Sequence, residues 1–176
     1  IECDARVEAQ DDVSTTGRAN PSECILPDVF LAALKRLNPQ VEEGVLQGIL
    51  RNFRKDYTAT DMVETNYKLY NQLRNGIKKP VRKNGKEDFD IVRLIDFDHP
   101  ERNDFHCVNQ MWIKGHYRYR RPDVLLFVNG LPVVFIELKN STVKVEESYN
   151  KNLTSYRKDI PNIFSFNQIC VLSNGL

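Results

Sequence analysis

Asp123, Glu137 and Lys139 are the residues whose types and spacing could do chemistry. They flank two apolar runs, Val124-Leu125-Leu126-Phe127-Val128 and Leu131-Pro132-Val133-Val134-Phe135-Ile136, which Asn129-Gly130 joins. Charge at the end of a buried strand is costly unless it is paired or holds an ion. Two carboxylates suit Mg²⁺, a hard cation with oxygen ligands, and the main-chain carbonyl of Leu138 is a further candidate ligand. Such an ion polarises a phosphate and acidifies bound water. A neighbouring lysine orients that water and stabilises developing negative charge. Together these are the requirements of phosphodiester hydrolysis. The alternative is a surface ion pair between Glu137 and Lys139 at a strand end. Asp, a gap and Glu-x-Lys recur by chance, so context decides: Pro122 before Asp123, the hairpin, and the long apolar run into Glu137 favour the ion site.

The hairpin makes a geometric demand. Asn-Gly is a strong two-residue turn signal. A plain two-residue loop pairs Val128 with Leu131 and therefore Asp123 with Ile136, which sends Glu137 to the opposite face. A shared site needs a shift by one, from a three-residue loop with a bulge at Gly130 or from a bulge nearer Asp123. Both strands are apolar on both faces, so their pattern leaves register open.

The elements that must hold these residues can be read outward from the hairpin. Strands are expected over 88–97, 105–113, 116–128, 131–138 and 168–173. A helix over 146–159 follows the hairpin, with Tyr149, Leu153, Tyr156 and Ile160 on one side and Pro161 as its stop. Before the strands, Pro27 opens a helix through Leu37, and Val41 to Phe53 forms a second amphipathic stripe. A third helix spans 61–74, with Val63, Tyr67 and Tyr70 inward and Gly76 past its end. Residues 11–22 have loop composition, and one short strand is possible at the start. The result is an α/β layer architecture, a mixed central sheet flanked by helices with an added N-terminal helical portion. The division is 1–58 for that portion and 59–176 for the core.

At 176 residues, 41% hydrophobic and 28% charged, the composition is that of a globular domain. A net charge of +1 excludes a polycation, so nucleic-acid binding would rest on local basic features. Lys78, Lys79, Arg82, Lys83 and Lys86 crowd one stretch. Lys114, His116, Arg118 and Arg120 alternate along another, with Tyr117 and Tyr119 opposite, and Arg121 abuts Asp123. Each set could track phosphates or simply be solvated. The four cysteines have no C-x-x-C spacing and read as reduced thiols. His99, His106 and His116 have no ligand spacing. No stretch reaches the roughly 18 apolar residues of a membrane span, and no leader pattern opens the chain. Starting at Ile1, it reads as a piece of something longer.

Leu94-Ile95-Asp96-Phe97, Asn103-Asp104-Phe105, Val108-Asn109-Gln110, the 121–140 segment, Tyr156, Ile160-Pro161 and Ser173-Asn174-Gly175 closely resemble the amino-terminal region of the restriction subunit of Type I restriction-modification enzymes. Similarity extends weakly back to the Leu34–Pro39 string. The resemblance implies a restriction-endonuclease-like PD-(D/E)xK core, with Asp123 and Glu137 as metal-binding acids and Lys139 as the lysine. It also implies a Gln-x-x-x-Tyr motif on the next helix. Here Tyr156 matches, but Asn152 stands at the glutamine position, and a core aromatic is the other account of Tyr156. Related nucleases often carry an acid on the first core helix; Glu64 is the candidate, against a solvated glutamate. The implied activity is Mg²⁺-dependent, sequence-indifferent cleavage of double-stranded DNA in a cytoplasmic bacterial or archaeal complex. The implied partners are methylation and specificity subunits and a translocase domain of the same subunit. That motor would use ATP, yet this chain holds no Gly-x-x-x-x-Gly-Lys-Ser/Thr loop and is not expected to bind it. Competing readings are a catalytically silent DNA- or subunit-binding module and an RNA-directed nuclease.

Overall fold

The computed structural model describes residues 2–4, 13–55, 57, 61–83, 86–142 and 148–175. Helices α1 (Pro27–Leu37), α2 (Glu43–Phe53) and α3 (Met62–Asn75) come first after a short strand β1 (Glu2–Asp4). Pro27 occupies the first turn of α1, where its missing N–H costs nothing. The Asp61 side chain caps α3 by accepting from the Glu64 N–H at 2.8 Å, and Gly76 (φ 74°) ends it.

The inward face of α3 differs from the expected one. Thr65, Leu69 and Leu73 are buried, whereas Val63 and Tyr67 are 71% and 66% exposed and Tyr70 is also exposed. Asn66 sets the rotation. Its amide donates to the main-chain carbonyls of Phe164, Ser165 and Asn167 at 2.8–3.3 Å, which fastens α3 to the segment before the last strand.

Strands β2 (Ile77–Lys83) and β3 (Lys86–Val92) form a separate antiparallel ribbon, so the basic stretch of Lys78 to Lys86 lies mostly in strand. The side chains of Arg82, Lys83 and Lys86 lie outside the described residues. The expected strand over 88–97 stops at Val92 because side chains capture the main chain beyond it. Asn38 bonds both the N–H and the carbonyl of Arg93, and Asn103 bonds both the N–H and the carbonyl of Asp96.

The main sheet adds β4 (Phe105–Asn109), β7 (Val124–Val128), β8 (Leu131–Leu138) and β9 (Ile169–Ser173) to β1, in the order β1-β4-β7-β8-β9. Its outer pairs are parallel and its central pairs antiparallel, so the sheet is mixed as expected. Two expected long strands are broken. Gln110 (φ 51°) ends β4, its N–H bonded to the Asp123 carbonyl. The expected strand over 116–128 is instead a small hairpin, β5 (Ile113–Lys114) with β6 (Tyr119–Arg120), followed by β7. Its turn passes so close to the next helix that a Cβ on Gly115 would sit 1.7 Å from the Asp159 carbonyl oxygen.

The helix expected over 146–159 is a π-helical turn (Ser148–Leu153) leading into α4 (Thr154–Asp159); Glu146 lies outside the described residues. The wider winding rotates Tyr149 out of the inward stripe, and it is exposed, while Leu153, Tyr156 and Ile160 are buried. Helix α5 (Pro161–Phe166) then leads to β9. One core cluster joins Leu125, Phe127 and Phe135 of the sheet to Tyr156, Ile160 and Ile163. The other joins α1, α2 and α3 to Leu94, Leu131 and Phe166. The first two helices thus share one core with the sheet.

Candidate active site

The β7–β8 turn is the two-residue form, with Asn129 at φ 50°, Gly130 at φ 79° and Val128 paired with Leu131. Both central residues have positive φ, as a type I′ turn requires. A polar net fixes it. Asn129 donates to the Leu94 carbonyl and to Asn103 Oδ1, each at 2.8 Å, and accepts from the Asp104 N–H at 2.8 Å. Beyond the turn Phe127 pairs with Pro132, but Leu126 pairs with Val134, so Val133 is an extra residue. The shift by one is therefore present, and it comes from a bulge whose extra residue sits on β8, the strand of Glu137. Val124 then lies opposite Ile136, and one step further the same register brings Asp123 beside Glu137.

The face they share is the one that carries Leu125 and Phe135 toward α4. Asp123 Oδ2 accepts the Leu138 N–H at 2.7 Å, which ties its carboxylate to the end of β8. Glu137 is 3% exposed; its Oε1 meets Lys139 Nζ at 2.5 Å. Its Oε2 is buried and, among the described residues, has no hydrogen-bond partner. A buried carboxylate oxygen without a partner is unfavourable by itself. Lys139 is fixed through its main chain, whose N–H donates to the Ser173 carbonyl on β9 at 2.7 Å.

Tyr156 closes the site from α4. Its ring meets Phe135 edge-on (centroids 5.2 Å apart, planes at 70°), and its hydroxyl donates to the Arg121 carbonyl at 3.2 Å. Burial pushes its phenol well above the ordinary tyrosine value; the negative charges of Glu137 and Asp123 add to this, and Arg120 opposes it. The phenol is therefore within electrostatic reach of both carboxylates.

The other expected contacts are placed differently. Both Arg120 Nε and Nη2 bond Asp159 Oδ2, at 2.7 and 2.5 Å, so this guanidinium is committed to a protein carboxylate. Arg121 is exposed and stacks its guanidinium on Trp112 at 5.1 Å. Arg118 is exposed in the β5–β6 turn, where its carbonyl accepts the Gly115 N–H. Asn152 is half-buried in the π-helical turn, and Glu64 is exposed on the first turn of α3. Asp159 and Trp112 escaped sequence reasoning. The signal for Asp159 was its spacing, three residues past Tyr156 on the same helical side. No signal marked Trp112.

Among the described residues no three His, Cys, Asp or Glu gather, so the candidate ion site is the smaller set of Asp123, Glu137 and a main-chain carbonyl. Within this set, Glu137 Oε2 is the buried carboxylate oxygen that no hydrogen bond satisfies among the described residues. Among the same residues no helix is long and apolar enough to cross a membrane.

Comparison with known proteins agrees with the resemblance. The family model described as Type I restriction enzyme R protein N terminus matches residues 3–176. The Type I restriction enzyme HindI endonuclease subunit of Haemophilus influenzae is 32% identical over 163 residues, covering 90% of this chain and 15% of the relative. A Methanocaldococcus jannaschii protein, provisionally named the MjaIXP endonuclease subunit of a type I restriction enzyme, is 32% identical over 167 residues, covering 90% and 16%. The chain thus spans about a sixth of the relatives it matches. Matched over almost its entire length, it belongs to the Type I restriction enzyme R protein N-terminus family.

Proposed function

We propose that this chain is the metal-dependent endonuclease domain of a Type I restriction subunit, with a PD-(D/E)xK core that hydrolyses DNA phosphodiesters without reading their sequence. The observation that carries this reading is the buried, unpartnered Glu137 Oε2 on the face shared with Asp123, beside the ammonium of Lys139. Asp123, Glu137 and the Leu138 carbonyl would hold Mg²⁺, which when bound neutralises phosphate charge and makes water a better nucleophile. The protein's own contributions are positional and electrostatic. The Leu138 N–H orients Asp123. Lys139 supplies a donor and a positive charge to the non-bridging oxygens and to the attacking water. Tyr156 and Phe135 wall the site and keep bulk water from the inner carboxylate. The activity belongs to a larger assembly, with a translocase in the rest of the subunit and methylation and specificity subunits as partners on double-stranded DNA.

The test is made in the assembled enzyme. Asp123→Ala, Glu137→Ala and Lys139→Ala should each abolish double-strand cleavage, by at least about 100-fold, while ATP hydrolysis on DNA and subunit assembly persist. Unchanged cleavage would mean that this module is catalytically silent and serves only as a binding element. Preferential cleavage of RNA duplexes would redirect the substrate.

A further inference from the structure

Arg120 and Asp159 form a partly buried ion pair for which the proposed reaction has no direct use, and their surroundings show what they hold. Asp159 is the last residue of α4, one turn after Tyr156, and is 8% exposed. Arg120 reaches it from β6 with two bonds to the same oxygen. On the way its guanidinium lies 5.5 Å from the centroid of the Tyr156 ring, which also packs against Phe135. The next residue, Arg121, accepts the Tyr156 hydroxyl on its carbonyl. One dipeptide therefore grips both the ring and the oxygen of one tyrosine. The close passage of Gly115 against the Asp159 carbonyl seats the whole β5–β6 hairpin on the end of α4.

We propose that the Arg120–Asp159 pair is a latch that positions Tyr156, and that the latched hydroxyl, through its bond to the Arg121 carbonyl, holds the chain two residues before Asp123 and so keeps that carboxylate facing Glu137. Arg120 and Asp159 are positioning residues; neither touches the substrate. The inference rests on the reading of Asp123 and Glu137 as a cation pair. It assigns Arg120, a candidate phosphate contact by sequence, to a different task. Partners behind metal ligands typically change ion affinity or activity by roughly 10- to 100-fold.

The test is a double-mutant cycle in the full-length subunit without nucleotide. Mn²⁺ affinity is read from loss of the free-ion electron paramagnetic resonance signal, and Glu137→Gln identifies the signal that belongs to this site. Asp159→Asn should weaken Mn²⁺ binding about 10-fold. In a Tyr156→Phe background the same substitution should change it little, because the hydroxyl it acts through is gone. Arg120→Lys, which keeps the charge, should recover part of the affinity that Arg120→Gln loses. Equal weakening in both backgrounds would overturn the latch and leave a merely structural ion pair. No weakening by Asp159→Asn would overturn it too. Mn²⁺ binding indifferent to Glu137→Gln is a separate result, which overturns the cation site and the latch with it.

Discussion

Glu137 sits where a carboxylate is hard to keep. It is 3% exposed, faces a hydrophobic cluster through Phe135 and Tyr156, and has one oxygen bonded to Lys139 and the other, among the described residues, to nothing. Removing a charge from water costs several kcal/mol unless its lone pairs are satisfied. The proposed cation shared with Asp123 would supply the missing partner, and an ion that binds the folded state alone stabilises it by mass action. At a concentration 100 times its dissociation constant the gain is about 2.7 kcal/mol. Mg²⁺ or Mn²⁺ should therefore raise the melting temperature of this protein, and a chelator should reverse the rise. Glu137→Gln should lose most of it, because an amide gives the ion no negative charge. An equal rise in that variant, followed by differential scanning fluorimetry, would place the ion elsewhere.

At the scale of the elements, the β7–β8 hairpin converts sequence into site geometry. A two-residue turn and one extra residue at Val133 together bring two carboxylates to one face. Gly130 is the most constrained point in it: at φ 79° a Cβ there would meet the Leu26 carbonyl oxygen at 2.5 Å and the Phe30 nitrogen at 2.8 Å. Gly130→Ala should cost about 2–4 kcal/mol in urea unfolding, from strain and the displacement of α1. A loss under about 1 kcal/mol would show that the turn adjusts freely. The need for a bulge was legible, since Asp123 and Glu137 could not otherwise meet; its position was not, because both strands are apolar on both faces. The helix periods were equally plain, but their rotation was not. On α3 the stripe of Val63, Tyr67 and Tyr70 is as regular as that of Thr65, Leu69 and Leu73, and the packing of Leu69 and Leu73 with the long-range bonds of Asn66 selects the second. The alternating Arg and Tyr residues before Arg121 resembled one strand because nothing nearby in sequence announces the contact between Gly115 and Asp159. Asp96, Asn103 and Asn129, all within the strings that carry the resemblance, form the net that fixes the turn.

For the molecule as a whole, the question is whether α1 and α2 form a separable layer or part of one cooperative unit. Their buried residues Phe30, Leu34, Leu46, Ile49 and Phe53 lie in one cluster with Leu69, Leu94, Leu131 and Phe166. Ring contacts extend it, Phe30 to Phe53 at 5.0 Å and Phe53 to Phe166 at 6.0 Å. Leu131 opens β8, the strand that ends at Glu137, so the helical layer and the candidate site share an element. Removing the first two helices would expose that apolar surface, and a sheet so uncovered would not hold its register. A single transition should follow. The protein has one tryptophan, Trp112, beside Arg121 near the site, while far-UV circular dichroism reports chiefly on the helices. In urea the two signals should coincide. Leu34→Ala, a cavity in α1 expected to cost about 2–5 kcal/mol, should move both midpoints together. If the dichroism moved alone while Trp112 kept its native transition, the helical layer would be an independent unit resting on the sheet.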